Sequence, residues 1–402
     1  MSEIIKKYIK GDKVIWMVIF ALSLISLLAV YSSTGTLAYK ARGGDTFYYF
    51  LKHLIFIISG IFIIIIVHNI HYKYYSRLSQ ILLIITIPLL LITLLFGSSL
   101  NQAARWVTIP GIQFSFQTSD FAKLALIMYV ARHLSIKQDK VDDFKTTFLP
   151  IIIPIIIVCG LIMPANFSTS AILFFTCFIL LFIGRIRFRY LFLLILVGIL
   201  GFALFIGVAY ITNYEGRIKT WEKRIERYIS GENEEDFQVE QAKIAIVNGG
   251  IFGKGPGNSR QRNFLPSPYA DFIYAIIIEE YGLIGGIVIL FLYLYLIFRA
   301  GVIIKKVDRT FPAFLVIGLT LSLVIQAMIN MAVAVNLLPV TGQPLPLVSM
   351  GGTSVLFTCI ALGIILSVSR VIQEQEIQEK LKTESPRNQK TDDNEKESQN
   401  NN

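Results

Sequence analysis

Residues 263–286, NFLPSPYADFIYAIIIEEYGLIGG, run from a polar, proline-rich loop into an apolar helix without a break. Asp271 lies at the junction, and Glu279 and Glu280 follow about two helical turns later. Acidic side chains within an apolar run are costly to place in lipid, so they are expected to face a protein interior or a wet cavity. This stretch therefore predicts a polar site at one end of a membrane-spanning bundle.

The composition of the whole chain also indicates a membrane protein. Its 402 residues are 54% hydrophobic and 16% charged, which is too apolar for a soluble globular protein. The net charge of +10 is explained by basic cytoplasmic loops and does not point to nucleic acid. Cys159, Cys177 and Cys359 all lie in apolar runs without disulfide or zinc spacing, so we expect buried thiols.

About ten apolar segments are long enough to cross a bilayer, by the rule of roughly 20 residues per span. They lie near residues 14–32, 50–68, 79–97, 120–135, 148–163, 168–184, 190–212, 271–298, 311–334 and 353–371. We therefore predict an all-α polytopic membrane protein. Residues 1–13 would be a cytoplasmic N-terminus and residues 14–371 the membrane domain.

Lysine and arginine are concentrated in alternate short loops, which predicts that both termini are cytoplasmic. Residues 213–270 then form a large extracytoplasmic loop between the seventh and eighth helices. Residues 372–402 are polar and charged, so we expect a disordered cytoplasmic tail. Within the outer loop, one helical face is shared by Ile218, Trp221, Ile225 and Tyr228. It predicts an amphipathic helix that either lies on the membrane or packs on the bundle.

Asp271 has two interpretations. An aspartate directly before an apolar helix is a favoured N-cap, which is a purely structural role. An ionised carboxylate at this position could instead remove a proton from a hydroxyl nucleophile. For Glu279 and Glu280 the alternatives are hydrogen bonding inside the bundle or contact with a substrate.

Several cations are predicted on the same side of the membrane as Asp271. They are Arg105, beside Trp106, and Lys123, Arg217, Lys254, Arg260 and Arg262. Lys123 either extends to the interface or lines a polar cavity. An acid among cations at the boundary of lipid and water suits a lipid-linked anionic substrate, whose phosphate or pyrophosphate the cations would hold.

Two irregular segments accompany this site. Residues 247–257, VNGGIFGKGPG, carry enough glycines to cradle a phosphate, although they do not match a Walker A loop and a flexible turn is the alternative. Residues 335–354 contain three prolines and include Thr341 and Ser349. We expect this second segment to fold back toward residues 263–271.

Gln326 and Asn330 are one turn apart in the ninth span, so their amides point the same way. They could contact substrate or make ordinary hydrogen bonds between helices. The four histidines are scattered at span ends, with no metal-ligand spacing.

Taken together, these segments resemble the SEDS family of bacterial cell-wall proteins (shape, elongation, division and sporulation), which contains FtsW and RodA. The resemblance covers about residues 14–371. The matching segments are ARW at 104–106, FQTSDFAKLA at 116–125, GGIFGKGPGNSRQR at 249–262, FLPSPYADFIYA at 264–275, EEYGLIG at 279–285 and the polar positions from Gln326 to Gly352. The segment around Gln261 is more similar to that of FtsW than to that of RodA.

The resemblance implies a peptidoglycan glycosyltransferase that polymerises lipid II on the outer face of the bacterial cytoplasmic membrane, during cell division at the septum. The aspartate that is essential in the family corresponds to Asp271. The remaining positions implied to bind substrate are Arg105, Trp106, Lys123, Arg217, Lys254, Gln261, Glu279, Glu280, Gln326, Asn330, Thr341 and Ser349.

The resemblance also implies partners: a class B penicillin-binding protein transpeptidase and other divisome proteins. A divalent cation, magnesium or manganese, could share the stabilisation of the diphosphate, although no sequence feature fixes a metal site. A lipid-linked-oligosaccharide flippase and a non-catalytic scaffold for the transpeptidase are the alternative functions.

The chain departs from the family pattern at several polar positions. Ser267 and Ala270 replace a glutamate and a threonine, Asn166 replaces an aspartate, and Asp120 replaces a glutamate. These changes leave the match at Asp271 intact. They argue against a catalytic acid at position 166 or 267.

Overall fold

The computed structural model describes residues 10–96, 98–100, 103–109, 114–211 and 234–400. Its helices are α1 (Lys13–Ser33), α2 (Gly35–Arg42), α3 (Thr46–Asn69), α4 (Tyr72–Phe96), α5 (Thr118–Ile136), α6 (Leu149–Ile162), α7 (Phe167–Ile183), α8 (Phe188–Ile211), α9 (Glu234–Gly249), α10 (Ile273–Lys305), α11 (Thr310–Ala334) and α12 (Thr353–Asn400). All the predicted spans are helices, so the chain is an all-α polytopic membrane protein.

Eight helical segments among the described residues are long and apolar enough to cross a membrane, and one of them joins α6 to the turn Phe144–Phe148 that precedes it. The other two predicted spans are α7, which is apolar but shorter, and α5. Helix α5 is buried on most sides by neighbouring helices, including α4 and α11. Because α5 faces little lipid, it can carry polar residues such as Asp120 and Lys123 at its first turns.

Helices α1 and α10 run antiparallel and are joined at both ends. Asp12 caps the start of α1 and pairs with Arg299 near the end of α10. At the other end, Ser32 donates a hydrogen bond to Glu280. Lys10 pairs with Glu374 of α12, so the segment before α1 and this part of α12 lie at the same end of the bundle.

The disordered tail predicted from residue 372 is a point of difference. Helix α12 continues to Asn400 in the structure. Glutamate, glutamine and lysine dominate residues 373–382, and they extend a helix readily once packing has nucleated it.

The segment before α5 is a local departure from the all-helical prediction. It forms a three-stranded antiparallel sheet of β1 (Ser98–Leu100), β2 (Ala103–Ile109) and β3 (Phe114–Gln117), in the order β1-β2-β3. Strand β3 leads directly into α5. The three cysteines are free and buried, as predicted.

Candidate active site

Asp271 lies just outside the helix that follows it. Helix α10 begins at Ile273, and its N-cap is Phe272. The N-cap interpretation of Asp271 is therefore wrong. The side chain is half-buried, and a Cβ built on Gly342 would lie 3.9 Å from its Oδ2 atom.

Three hydrogen bonds fix the backbone around Asp271. Asn330 Nδ2 donates to the Asp271 carbonyl at 2.9 Å, and Ser349 Oγ donates to the Ala270 carbonyl at 2.6 Å. The Met350 amide donates to the Tyr269 carbonyl at 2.9 Å. The predicted return of residues 335–354 toward residues 263–271 is therefore confirmed, and it serves to position Asp271.

Tyr269 reports on the environment of this segment. Burial raises the pKa of the Tyr269 phenol, and the neighbouring groups Tyr49 and Asp271 raise it further. A carboxylate that raises the pKa of a nearby phenol contributes negative potential there. Asp271 therefore acts electrostatically on the loop that surrounds it.

Helix α11 connects Asp271 to Lys123. Gln326 lies one turn before Asn330 and accepts a hydrogen bond from Lys123 Nζ at 2.9 Å. Lys123 also pairs with Asp120 at 2.8 Å, and its side chain is only 12% exposed. Lys123 thus lines the protein interior and does not extend to the interface.

One carboxylate oxygen of Asp120, the acid that pairs with Lys123, accepts no hydrogen bond from the described residues. Asp120 is buried, and its Oδ2 atom has no hydrogen-bond partner among the described residues. Buried polar atoms are normally paired, so an unpaired oxygen next to a cavity indicates a position for water or a ligand.

A small groove of about 30 Å³ opens between α5, α11 and α12 beside this ion pair. Lys123, Asp120 and Gln326 form its polar part, with Ser322, Ser354 and Thr358. Its remaining wall is apolar and includes Leu124, Leu323 and Phe357. This combination suits a molecule with an anionic head and a hydrocarbon chain.

The loop between α11 and α12 is itself well anchored. Asn330 donates a second hydrogen bond to the Gln343 carbonyl at 2.7 Å, and Gln326 Nε2 donates to the Pro344 carbonyl at 2.9 Å. Gln343 donates to Thr169 Oγ1 of α7 at 2.8 Å. Gln326 and Asn330 thus hold the loop as well as the site, and Thr341 lies half-buried beside Gly342.

The glycine-rich segment closes a break in α10. Gly282 has φ 71° and ψ −176°, which interrupts the helix. The amides of Lys254 and Gly255 donate to the carbonyls of Glu279 and Glu280 at 3.0 and 2.9 Å, and the Leu283 amide donates to the Gly250 carbonyl at 2.9 Å. Gly249 and Gly253 therefore allow close packing against the backbone of α10, and these contacts favour a packing role for the segment.

Glu279 organises the loop that precedes Asp271. Its carboxylate is fully buried and accepts hydrogen bonds from the Ser259 hydroxyl and from the amides of Arg260 and Gln261 at 3.1 and 3.2 Å. Lys254 Nζ lies 3.2 Å away and completes an ion pair. These contacts favour the bundle-interior interpretation of Glu279 over substrate contact.

Glu280 has a similar role toward α1. It accepts from Ser32 Oγ and from the Ser259 amide at 3.4 Å. Arg262 Nη1 donates to the Ser32 carbonyl at 2.9 Å, so the same loop is fastened to α1 twice. Gln261 is buried in this loop and is not one of the residues that line the groove beside Lys123.

Sequence reasoning missed a further contact to the α11–α12 loop. Ser26 Oγ donates a hydrogen bond to the Val348 carbonyl at 2.7 Å. The same Ser26 Oγ atom lies 2.7 Å from His53 Nε2. Because the serine proton is used by Val348, the His53 Nε2–H must donate to Ser26. The sequence does place His53 in an apolar helix, which indicates a polar partner inside the bundle. It does not identify that partner as Ser26, which lies in another helix.

The remaining predicted site residues are only partly placed. Arg105 and Trp106 lie on β2, where Trp106 pairs in register with Gln117 at the end of β3. This pairing brings the strand next to the start of α5. Arg217 and the predicted amphipathic helix lie outside the described residues.

The described residues do not fit a dedicated metal centre. They contain no group of three or more histidine, cysteine, aspartate or glutamate side chains that could hold a metal ion. A magnesium ion bound mainly by substrate phosphates would need fewer protein ligands.

Known proteins match nearly the whole chain. The profile of the FtsW/RodA/SpoVE family, described as cell cycle proteins, matches residues 12–374. Stage V sporulation protein E of Bacillus subtilis (strain 168) is 33% identical over 366 residues, which is 89% of this chain and 97% of that protein. A probable peptidoglycan glycosyltransferase FtsW of Geobacter metallireducens is 34% identical over 372 residues, 91% of this chain and 96% of that protein.

Solved structures show the same fold. The rod shape determining protein RodA of Thermus thermophilus superposes with a TM-score of 0.65 at 20% identity, covering 90% of this chain and 98% of that one. A chain of a peptidoglycan synthase complex superposes with a TM-score of 0.66 at 22% identity and the same coverage. With its motifs, its profile match and its relatives in agreement, the chain belongs to the FtsW/RodA/SpoVE family, also called the SEDS family.

Proposed function

We propose that the chain is a peptidoglycan glycosyltransferase that polymerises lipid II at the outer face of the bacterial cytoplasmic membrane. The observation that carries this proposal is the connection through α11: Asn330 holds the backbone of Asp271, and Gln326, one turn away, holds Lys123 at the mouth of an amphiphilic groove. Names such as probable peptidoglycan glycosyltransferase FtsW among the relatives support the same activity.

The reaction follows from these groups. The Asp271 carboxylate accepts the proton of the acceptor's GlcNAc 4-hydroxyl as that oxygen bonds to the anomeric carbon of MurNAc on the donor. The bond between the anomeric carbon and the diphosphate oxygen breaks, and undecaprenyl diphosphate leaves with the electron pair. Lys123 is the described cation best placed to stabilise the leaving charge. A displacement of this kind inverts the anomeric configuration.

The cellular setting belongs to the same proposal. The chain would act at the division septum with a class B penicillin-binding protein that crosslinks the new strands, and with other divisome proteins. A structural neighbour described as part of a peptidoglycan synthase complex supports a transpeptidase partner. A magnesium or manganese ion would arrive with the diphosphate, and the steps above do not depend on it.

The test uses the purified full chain, with fluorescent lipid II in detergent and in sealed vesicles. The proposal predicts ladders of glycan strands in detergent. Transport of lipid II across the vesicle membrane without ladders would instead support the flippase. Neither activity, even with a partner transpeptidase and magnesium or manganese present, would support the scaffold.

A further inference from the structure

A second groove lies at the opposite end of the bundle from Asp271. It has a volume of about 370 Å³ and lies between α10, α12 and residues 11–14. From α10 it is lined by Arg299, Val302, Ile303 and Lys306, which have the spacing of a single helix face. A face of α12 with the same spacing surrounds Ile372. The groove is therefore formed by one face of α10, one face of α12 and residues 11–14.

The chemistry of this groove is divided between an apolar interior and cations. Ile303 and Ile372 are buried, at 3% and 8% exposure. Lys13 and Lys306 are exposed. Apolar walls with exposed cations suit an amphiphile whose anionic group lies at the membrane surface.

The acids in the groove do not neutralise these cations fully. Arg299 donates to Asp12 through Nε and Nη2, which leaves Nη1 for a further acceptor. Lys306 pairs with Glu376 at 2.9 Å, but both side chains are about half exposed, and ion pairs of that kind are weak and exchangeable. Lys13 has no acidic partner among the described residues.

We propose that this groove binds an anionic phospholipid of the inner leaflet. The headgroup phosphate accepts hydrogen bonds from Lys13, Arg299 Nη1 and Lys306, and the upper part of an acyl chain lies along Val302, Ile303 and Ile372. The predicted orientation places this end at the cytoplasmic leaflet, where anionic lipid is attracted to basic residues. A bound lipid would connect residues 11–14, α10 and α12 at the end of α10 that is farther from Asp271.

The test is native mass spectrometry of the delipidated full chain with phosphatidylglycerol or phosphatidylcholine of identical acyl chains. The proposal predicts preferential retention of phosphatidylglycerol. It also predicts that Lys13→Gln and Lys306→Gln each weaken retention roughly fivefold, the usual effect of one basic residue at an anionic membrane surface. Lys305→Gln is the matched control, because Lys305 is an exposed neighbour that does not line the groove.

Three results would overturn the proposal. They are equal retention of the two lipids, equal loss in the Lys305 control, and displacement of the lipid by an equal concentration of glycerol 3-phosphate. The last result would mean that a free phosphate compound is the ligand. Elution of each variant as a monodisperse species in detergent excludes misfolding as the cause of a loss.

Discussion

Asp271 is positioned by hydrogen bonds to its backbone. Asn330 and Ser349 bind two successive carbonyls, and the N-cap of α10 is Phe272. A base that is held in this way can approach its substrate without paying for reorganisation of its own segment. The same logic makes Asn330 a positioning residue.

We predict that Asn330→Leu slows polymerisation of lipid II roughly ten- to a hundredfold, because it leaves two carbonyls unpaired near the base. Binding of lipid II should change much less, since Lys123 and the groove remain. Thr320→Val in the same helix is the control: Thr320 is buried, and its hydroxyl has no partner among the described residues. Equal rates for the Asn330 variant and wild type would contradict the positioning role.

At the level of single residues, the sequence could identify chemistry but not geometry. The polar spacing of Gln326 and Asn330 and the position of Asp271 were sufficient to select them. The hydrogen-bond donors to Glu279 could not be predicted, because they come from a loop about twenty residues earlier in the chain. The path of that loop depends on the break in α10 at Gly282. Ser26 and His53 contact the α11–α12 loop at Val348, which lies 322 residues after Ser26 in the sequence.

The break in α10 at Gly282 determines how the glycine-rich segment packs against this helix. The glycine-rich segment supplies the backbone partners that the interrupted helix needs at Gly282, which satisfies polar groups inside a membrane protein. A Cβ on Gly282 would lie 2.1 Å from the Ile251 carbonyl oxygen, and at 71° its φ is unfavourable for any other residue.

Gly282→Ala should therefore destabilise the protein by about 2 kcal/mol or more, combining a backbone clash with strain at this dihedral. Gly301→Ala in the same helix is the matched control, since a Cβ there meets nothing within 4 Å. It should be neutral or stabilising by up to about 1 kcal/mol. The measurement is the thermal unfolding midpoint in detergent, and similar midpoints for both variants would refute this account of the break.

The elements show which sequence signals are sufficient. Hydrophobic length located every span, because the bilayer imposes a minimum length on each, but it missed the first turns of α4 and the last turns of α10 and α12. It could not predict that α10 is broken, since Gly282 lies in a helical pattern that continues on both sides. It also missed β1–β3, because strand pairing in a short loop leaves little periodicity to detect.

At the scale of the whole molecule, the two ends of the bundle are chemically different. Asp271, Lys123 and the groove beside Lys123 lie at one end, whereas Lys10, Asp12 and Arg299 lie at the other, with the last turns of α10 and Glu374 of α12. The Lys and Arg distribution assigns the first end to the outside. The ion pair between Lys10 and Glu374 brings the start of α1 and this part of α12 to one end, as the prediction of an even number of spans requires.

This orientation predicts the labelling of intact cells by a membrane-impermeant maleimide. A cysteine at Arg260 should react, and one at Lys140 should react only after lysis; both positions are exposed. The natural cysteines are buried and give a low background. The reverse pattern would place the site in the cytoplasm and remove the basis for lipid II polymerisation outside.

The most direct test of the account is a comparison of the wild type with Asp271→Asn, using purified full chains and fluorescent lipid II. The substitution removes the base but keeps the size of the side chain and its backbone contacts. We predict a loss of polymerisation of roughly 10²–10⁴-fold, the scale of general base catalysis, with lipid II still bound. Glycan ladders of normal length and rate from the variant would contradict the assignment of Asp271 as the catalytic base.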